Sequence, residues 1–221
     1  STHCISSAAS DVYKRQGDPI AHWAEQLTKE LRLGAQILTD HNITPPAANT
    51  VFFGGGTPSL LGRQLPKILD VVRECFGIAP GAEITSEANP ESTSPELFDC
   101  WRAGGVNRLS LGMQSSEPRV LALLDRQHDP ARAVAAIEEA QAAGFEHLNL
   151  DLIYGTPGET TDDVARSVDT VLATGVDHVS AYALTIEPGT ALFRKVAHGE
   201  IDPIDDDMQA DRYYQIDAAL Q

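Results

Sequence analysis

Three consecutive glycines, Gly54, Gly55 and Gly56, end an apolar run in TVFFGGGTPSLL, residues 50–61. Bare backbone at a strand end lets a ligand approach main-chain amides and carbonyls closely. Phosphate binding is the first chemistry to consider. A P-loop requires Gly, four residues, then Gly-Lys-Ser/Thr. Here five residues separate Gly56 from Gly62, and Arg63 follows. The dinucleotide pattern GxGxxG also fails, because Ser59 stands at its last glycine position.

Exposed carbonyls suit a different guest, an ammonium group. Gly55, Gly56 and Thr57 offer that edge, and Glu87 can support an amine. Arg126 can hold a carboxylate in a charge-assisted, bidentate pair. Asp151 or Gln114 can accept from ribose hydroxyls. Amine, carboxylate and ribose together describe the amino-acid end and the sugar of S-adenosylmethionine.

These residues need elements that bring them to one place. Trp23, Leu27, Leu31 and Leu38 recur at helical spacing and predict a helix over 19–39. Leu65, Ile68, Leu69 and Val72 mark a second. Ser94-Pro95 is an N-cap with Pro at the first helical position, opening a third. PARAVAAIEEAQAAG is a fourth, closed by Gly144. Val164, Val168 and Val171 place a fifth, and MQADRYYQIDAAL a last one. Between them lie five strands: TVFF, EITSEAN, RLSLGMQ, LNLDLIYG and HVSAYALT. Strands alternating with helices predict parallel βα units, whose ligands sit at the C-terminal strand ends. Those ends carry Gly54 to Thr57, Glu87 to Asn89, Gly112 to Gln114, Asp151 with Tyr154-Gly155, and Tyr182-Ala183. Each has an ordinary structural use, as turn, rim or helix cap. Their gathering at one end of one sheet favours a binding site.

The bulk composition narrows the class. The 221 residues are 42% hydrophobic and 22% charged, enough for one globular domain with a real core. A formal charge of -16 argues against nucleic acid, which needs clustered Lys and Arg. No apolar run approaches the roughly 20 residues of a membrane span, and no secretory leader is legible, so the expected location is cytoplasmic. The acidic stretch 202–211 reads as a solvated loop and helix start, since it lacks the spacing and Gly of a calcium loop. Cys4, Cys75 and Cys100 are too scattered for a disulfide framework. Residues 1–16, STHCISSAASDVYKRQ, show neither helical nor strand period, and are expected to be a non-native or disordered segment before a core domain at 17–221.

GGGTPSLL, SEANPES, GVNRLSLGMQS, LLDRQHD, NLDLIYGTPGET and HVSAYALTIEPGT, taken in order, resemble radical S-adenosylmethionine proteins related to oxygen-independent coproporphyrinogen III oxidase. The likeness runs from about Gly17 to Gln221, and SAYALTIEPGT is more similar to the HemW-type haem-chaperone branch. The resemblance implies an α/β fold, a partial (β/α)6 TIM-like radical SAM barrel. It implies that Gly55, Gly56 and Thr57 meet the methionine amine, Glu87 is the acidic contact beside them, and Arg126 takes the carboxylate. Gln114 and Asp151 then contact the nucleoside, and Ala183 gives a backbone contact near adenine.

The implied role is to bind haem and pass it to recipient haem proteins, with S-adenosylmethionine and a [4Fe-4S] cluster as cofactors. Two alternatives stand beside it: the oxidase, which converts propionates of coproporphyrinogen III to vinyl groups, and a cluster-free barrel that binds a nucleoside or amino acid. The family holds its cluster through CxxxCxxC after the first strand. No CxxxCxxC occurs in this sequence, so the first strand and cluster loop are expected to be missing, with an open sheet edge. The family's C-terminal part is expected to be missing after Gln221. No metal ligand, catalytic residue or haem ligand is nominated, and the chain as written is expected to be inactive as a radical enzyme.

Overall fold

The computed structural model describes residues 3–6, 19–126 and 129–221. Among the described residues, six strands are hydrogen-bonded in sequence order. They are β1 (His3–Ser6), β2 (Ala48–Gly54), β3 (Ile78–Ala88), β4 (Arg108–Gln114), β5 (His147–Tyr154) and β6 (His178–Ala183). The pairs β1–β2, β2–β3 and β5–β6 run parallel. Helices α1 (Pro19–Asp40), α2 (Gln64–Phe76), α3 (Pro95–Gly104), α4 (Pro118–Leu123), α5 (Pro130–Ala142), α6 (Thr161–Ala173), α7 (Ala191–Ala197) and α8 (Asp206–Leu220) stand between and after them. The alternation read from the sequence is therefore the architecture of the chain.

The beginning of the sheet differs from expectation. His3–Ser6 forms β1 against β2, with Cys4 opposite Phe52 and Ser6 opposite Gly54. The first strand is present, and that edge of β2 is paired rather than open. Four residues are too few to show a strand period. What recruits them is the row of amides and carbonyls that an unpaired β2 would leave exposed. Residues 7–16, expected to be irregular, lie outside the described residues, as does the place of the expected cluster loop.

The chain divides into two compact units, one reaching to Ser110 and including Glu139–His147, the other formed by Leu111–Glu138 and Leu148–Gln221. In the first, α1 packs on α2 and β2 pairs β3. Its core contains Val51 and Phe53 of β2, Leu65, Ile68 and Leu69 of α2, and Phe98 and Trp101 of α3. Ser94 caps α3 by accepting from the Leu97 amide at 3.3 Å, and Gly105 closes it with φ 104°. The cap and the Pro95 start were legible in the sequence. In the second unit Leu111 and Met113, Leu150 and Leu152, and Val164, Val168 and Val171 are buried on β4, β5 and α6. Helix α6 packs against α8.

Helices α4 and α7 escape sequence reading. They are six and seven residues long, less than or close to two turns, and α7 buries no residue, so no apolar stripe announces it. Thr190 nonetheless caps α7, accepting from the Phe193 amide at 3.1 Å. The acidic stretch before α8 behaves as a helix start: Asp205 is the N-cap, accepting from the Met208 amide at 2.7 Å, and Asp206 and Asp207 occupy the first turn. Cys75 and Cys100 are half-buried on α2 and α3.

Candidate functional site

The three glycines at the end of β2 serve different needs. Gly55 and Gly56 have φ 76° and 49°, the left-handed region that side chains resist. Gly54 is required by space instead. A Cβ there would lie 2.2 Å from the Phe52 ring and 3.0 Å from Glu87 Oε1. The neighbouring carboxylate is thus part of the loop's own geometry. Gly55 N–H donates to Glu87 Oε2 at 3.0 Å. An anion placed beside these glycines would meet that negative charge, whereas an ammonium would be attracted by it. The sequence pattern argues against a phosphate cradle by motif, and the Glu87 carboxylate beside the Gly55 amide argues against it electrostatically.

The same unit carries Thr57 at the N-cap of a 3-10 turn, Pro58–Leu61, though its side chain makes no cap hydrogen bond. Gly62 closes that turn, donating to Ser59 O at 3.2 Å. The indole of Trp101 donates to Gly62 O at 2.9 Å. Glu87 is in direct contact with Gly55, and Gly56 and Thr57 follow Gly55 along the chain.

Gln114, Arg126, Asp151 and Ala183 lie in the second unit. Gln114 ends β4 with φ 68°, a positive value that is uncommon outside glycine and is worth attention at a strand end. Gly112 leaves room for its amide, since a Cβ at Gly112 would lie 2.6 Å from Gln114 Nε2. Asp151 Oδ1 accepts from Asn149 Nδ2 at 2.7 Å, and Asn149 Oδ1 accepts from Ser180 Oγ at 3.1 Å. Asn149 thus orients the aspartate from one residue pair along the same strand face. Ala183 pairs with Tyr154 at the end of β6, three residues beyond Ser180, which faces Asp151. Its side chain faces away from that of Asp151, which leaves the main chain as its means of contact. Arg126 follows Asp125, whose φ is 54°. The Arg126 amide donates to Leu121 O at 2.9 Å, the long closing bond of a Schellman motif, and fixes where the guanidinium departs.

The loop after β5 holds a residue the sequence reading passed over. Glu159 is buried, and its Oε2 accepts from the amides of Gly155 at 2.7 Å and Thr156 at 3.3 Å. Its only local signal is a glutamate shortly after a strand-end glycine. Burial pushes its carboxyl above the ordinary glutamate value, opposed by those two amides and by Arg212. A raised folded-state value means the native chain holds the proton more tightly than the unfolded chain. Stability is therefore lost as pH rises above the ordinary value of 4.5, and the loss is complete above the raised one. Since a single oxygen accepts both amides, a glutamine carbonyl can replace it. Glu159→Gln is expected to gain stability relative to the parent between pH 4 and pH 7, read as a rising difference in urea midpoints; a constant difference would contradict the buried charge.

Residues 3–171 match the Radical SAM superfamily. The chain belongs to that superfamily. It is 57% identical to the haem chaperone HemW of Mycobacterium tuberculosis (strain CDC 1551 / Oshkosh) over 199 residues, covering 90% of this chain and 50% of that protein. The Bacillus subtilis (strain 168) HemW is 32% identical over 205 residues, 91% of this chain and 52% of its own. Among solved structures, the coproporphyrinogen III oxidase HemN of Escherichia coli, a radical SAM enzyme, aligns with a TM-score of 0.79 at 27% identity, over 94% of this chain and 46% of that one. The fold is thus the α/β radical SAM type, a partial TIM-like barrel, and the chain is a HemW homologue. It spans about half the length of the curated relatives it matches.

The residues present fit the two family cofactors unequally. Gly55 with Glu87 has the chemistry that an amine such as that of S-adenosylmethionine requires. A [4Fe-4S] cluster needs three thiolates in reach of one another. The sequence has three cysteines and no CxxxCxxC, and two of them lie on α2 and α3. Among the described residues no group of three His, Cys, Asp or Glu is arranged to hold a metal ion. The cluster does not fit this chain.

Proposed function

We propose that this chain is the S-adenosylmethionine-binding part of a haem chaperone that passes haem to recipient haem proteins. The observation that carries the cofactor reading is the Glu87 carboxylate lying against the Gly55 amide at the end of β2. Its negative charge favours an ammonium group over an anion at the glycine edge. Glu87, with carbonyls of Gly55 and Gly56, holds the methionine amine; Arg126 takes its carboxylate. Asp151 or Gln114 accepts from the ribose hydroxyls, and the Ala183 main chain meets the adenine. The chaperone role draws on the likeness to HemW over nine-tenths of this chain. Among the described residues no helix is long and apolar enough to cross a membrane, and we place the protein in the cytoplasm.

The cofactor reading is tested by calorimetric titration of S-adenosylmethionine into this chain. Binding is expected to be weak, because the family's iron normally anchors the methionine. Glu87→Gln is expected to weaken it by about ten-fold, the loss of one charge-assisted contact at a half-exposed site. Equal affinity of parent and variant would remove the ammonium reading. The likeness to HemN favours the oxidase as a second reading. Two assays separate the two readings. A chaperone binds haem and transfers it to an apo-haem protein; the oxidase turns over coproporphyrinogen III.

A further inference from the structure

Glu87 is the last residue but one of β3, and just beyond that strand end Ser59 and Ser92 tie the chain to the turn that follows the glycines. Ser59 is buried in the turn that follows the glycines. Its Oγ accepts from the Asn89 amide at 3.0 Å and lies 2.6 Å from Ser92 Oγ. Ser92 Oγ in turn donates to Asn89 O at 3.0 Å. Each hydroxyl has one proton to give. The Ser92 proton goes to Asn89 O, so the proton between the two serines is that of Ser59. The bonds then form a closed, directed circuit: Asn89 N–H to Ser59, Ser59 to Ser92, and Ser92 back to the Asn89 carbonyl. Both hydroxyls donate and accept, and no proton is left over.

The circuit grips the residue two places beyond Glu87 by its amide and carbonyl alike. The Asn89 side chain adds a third hold, accepting from the Glu91 amide at 3.1 Å. On the other side, Ser59 is fixed by the Gly62 amide on its carbonyl, and Gly62 by Trp101. The glycine loop and the end of β3 are thereby set at one separation, the one at which Gly55 N–H meets Glu87.

We propose that Ser59 and Ser92 are positioning residues that hold Glu87 on the glycine loop and so set the place of the cofactor's ammonium group. This rests on the reading of Gly55 and Glu87 as that group's site. The test compares the parent chain with Ser59→Ala, Ser92→Ala and Ser92→Thr. Amide hydrogen exchange at Asn89 and Gly55 is followed residue by residue by NMR, with Leu152 of β5 as an internal control. S-adenosylmethionine affinity is measured on the same samples. Each alanine variant is expected to speed exchange at Asn89 and Gly55 by about five-fold or more and to weaken S-adenosylmethionine by a similar factor, the weight of one lost hydrogen bond. Exchange at Leu152 stays unchanged. Ser92→Thr is expected to restore both readouts, since it keeps the hydroxyl and Ser92 is only half-buried. If Ser59→Ala fails to fold, the Ser92 pair decides alone. Unchanged Gly55 exchange in folded alanine variants would overturn the proposal. If Gly55 exchange responds while Glu87→Gln leaves S-adenosylmethionine affinity unaltered, the positioning of Glu87 stands and the ammonium reading falls.

Discussion

Trp101→Ala is expected to lower the unfolding free energy by about 3–5 kcal/mol, as large aromatic truncations in packed cores do. Trp101 is fully buried, and its ring fills the first unit beside α3's other core residue, Phe98. The alanine variant leaves a cavity and also deprives Gly62 O of its donor. Against a typical domain stability of about 5–15 kcal/mol, that loss can consume most of the margin. Urea denaturation followed by circular dichroism measures it, because the substitution removes one of the chain's two tryptophans as a fluorescent reporter. Trp101→Phe keeps most of the packing and is expected to cost less, about 1–3 kcal/mol, dominated by the unpaired carbonyl. Gly62 closes the turn that carries Ser59, so the phenylalanine variant should also loosen the glycine loop. A loss below about 1 kcal/mol for the alanine variant would show that the core closes over the gap.

Asp163→Ala is the second large effect, about 2–4 kcal/mol, combining a helix cap with a nearly buried ion pair. Asp163 is the third residue of α6, and its Oδ2 accepts from the Thr160 amide and hydroxyl, each at 2.6 Å. Thr160 Oγ1 accepts from the Asp163 amide at 3.2 Å, which completes a capping box. Arg119 donates to the same oxygen, and Arg166 donates to Oδ1 at 2.6 Å. Arg166 also donates to Glu117 at 2.7 Å. The arginines are half-exposed, so removing the aspartate does not strand buried cations. For that reason the expected cost stays below the upper range for broken buried pairs.

The pH dependence has a defined sign. Burial pushes the Asp163 carboxyl up, but hydrogen bonds from Thr160 and Arg119 outweigh it and hold the value below the ordinary 3.8. A depressed folded-state value contributes stability that is complete above 3.8 and is lost as pH falls toward the depressed value. Asp163→Asn is therefore expected to flatten the acid limb of stability between about pH 5 and pH 2. An acid limb as steep as the parent's would assign the loss to other carboxylates.

Both residues show how far local pattern carries. Val164, Val168 and Val171 place α6 from the sequence because a helix writes its buried face every three or four residues. The cap at Ser94 and the stop at Gly105 belong to the same local grammar, since their hydrogen bonds close within a few residues. The strand-helix alternation and the strand ends follow likewise, and with them Gly55, Gly56, Thr57, Glu87, Gln114, Asp151 and Ala183; Arg126 lies off the strand ends and entered as a cation able to hold a carboxylate.

What the sequence could not supply are contacts made across long separations. The Gly55 amide meets a carboxylate 32 positions away, and Ser59 meets Asn89 across 30. No period or spacing encodes such a pairing; it exists only once β2 and β3 lie in register. The parallel strand at His3–Ser6 was invisible for a related reason, since four residues carry too little pattern and the edge of β2 supplies the partner. Gly54 illustrates both sides. Sequence alone marked it as one of three bare backbone units. Only the fold showed that it is bare because the Phe52 ring and the Glu87 carboxylate occupy the space a Cβ would need.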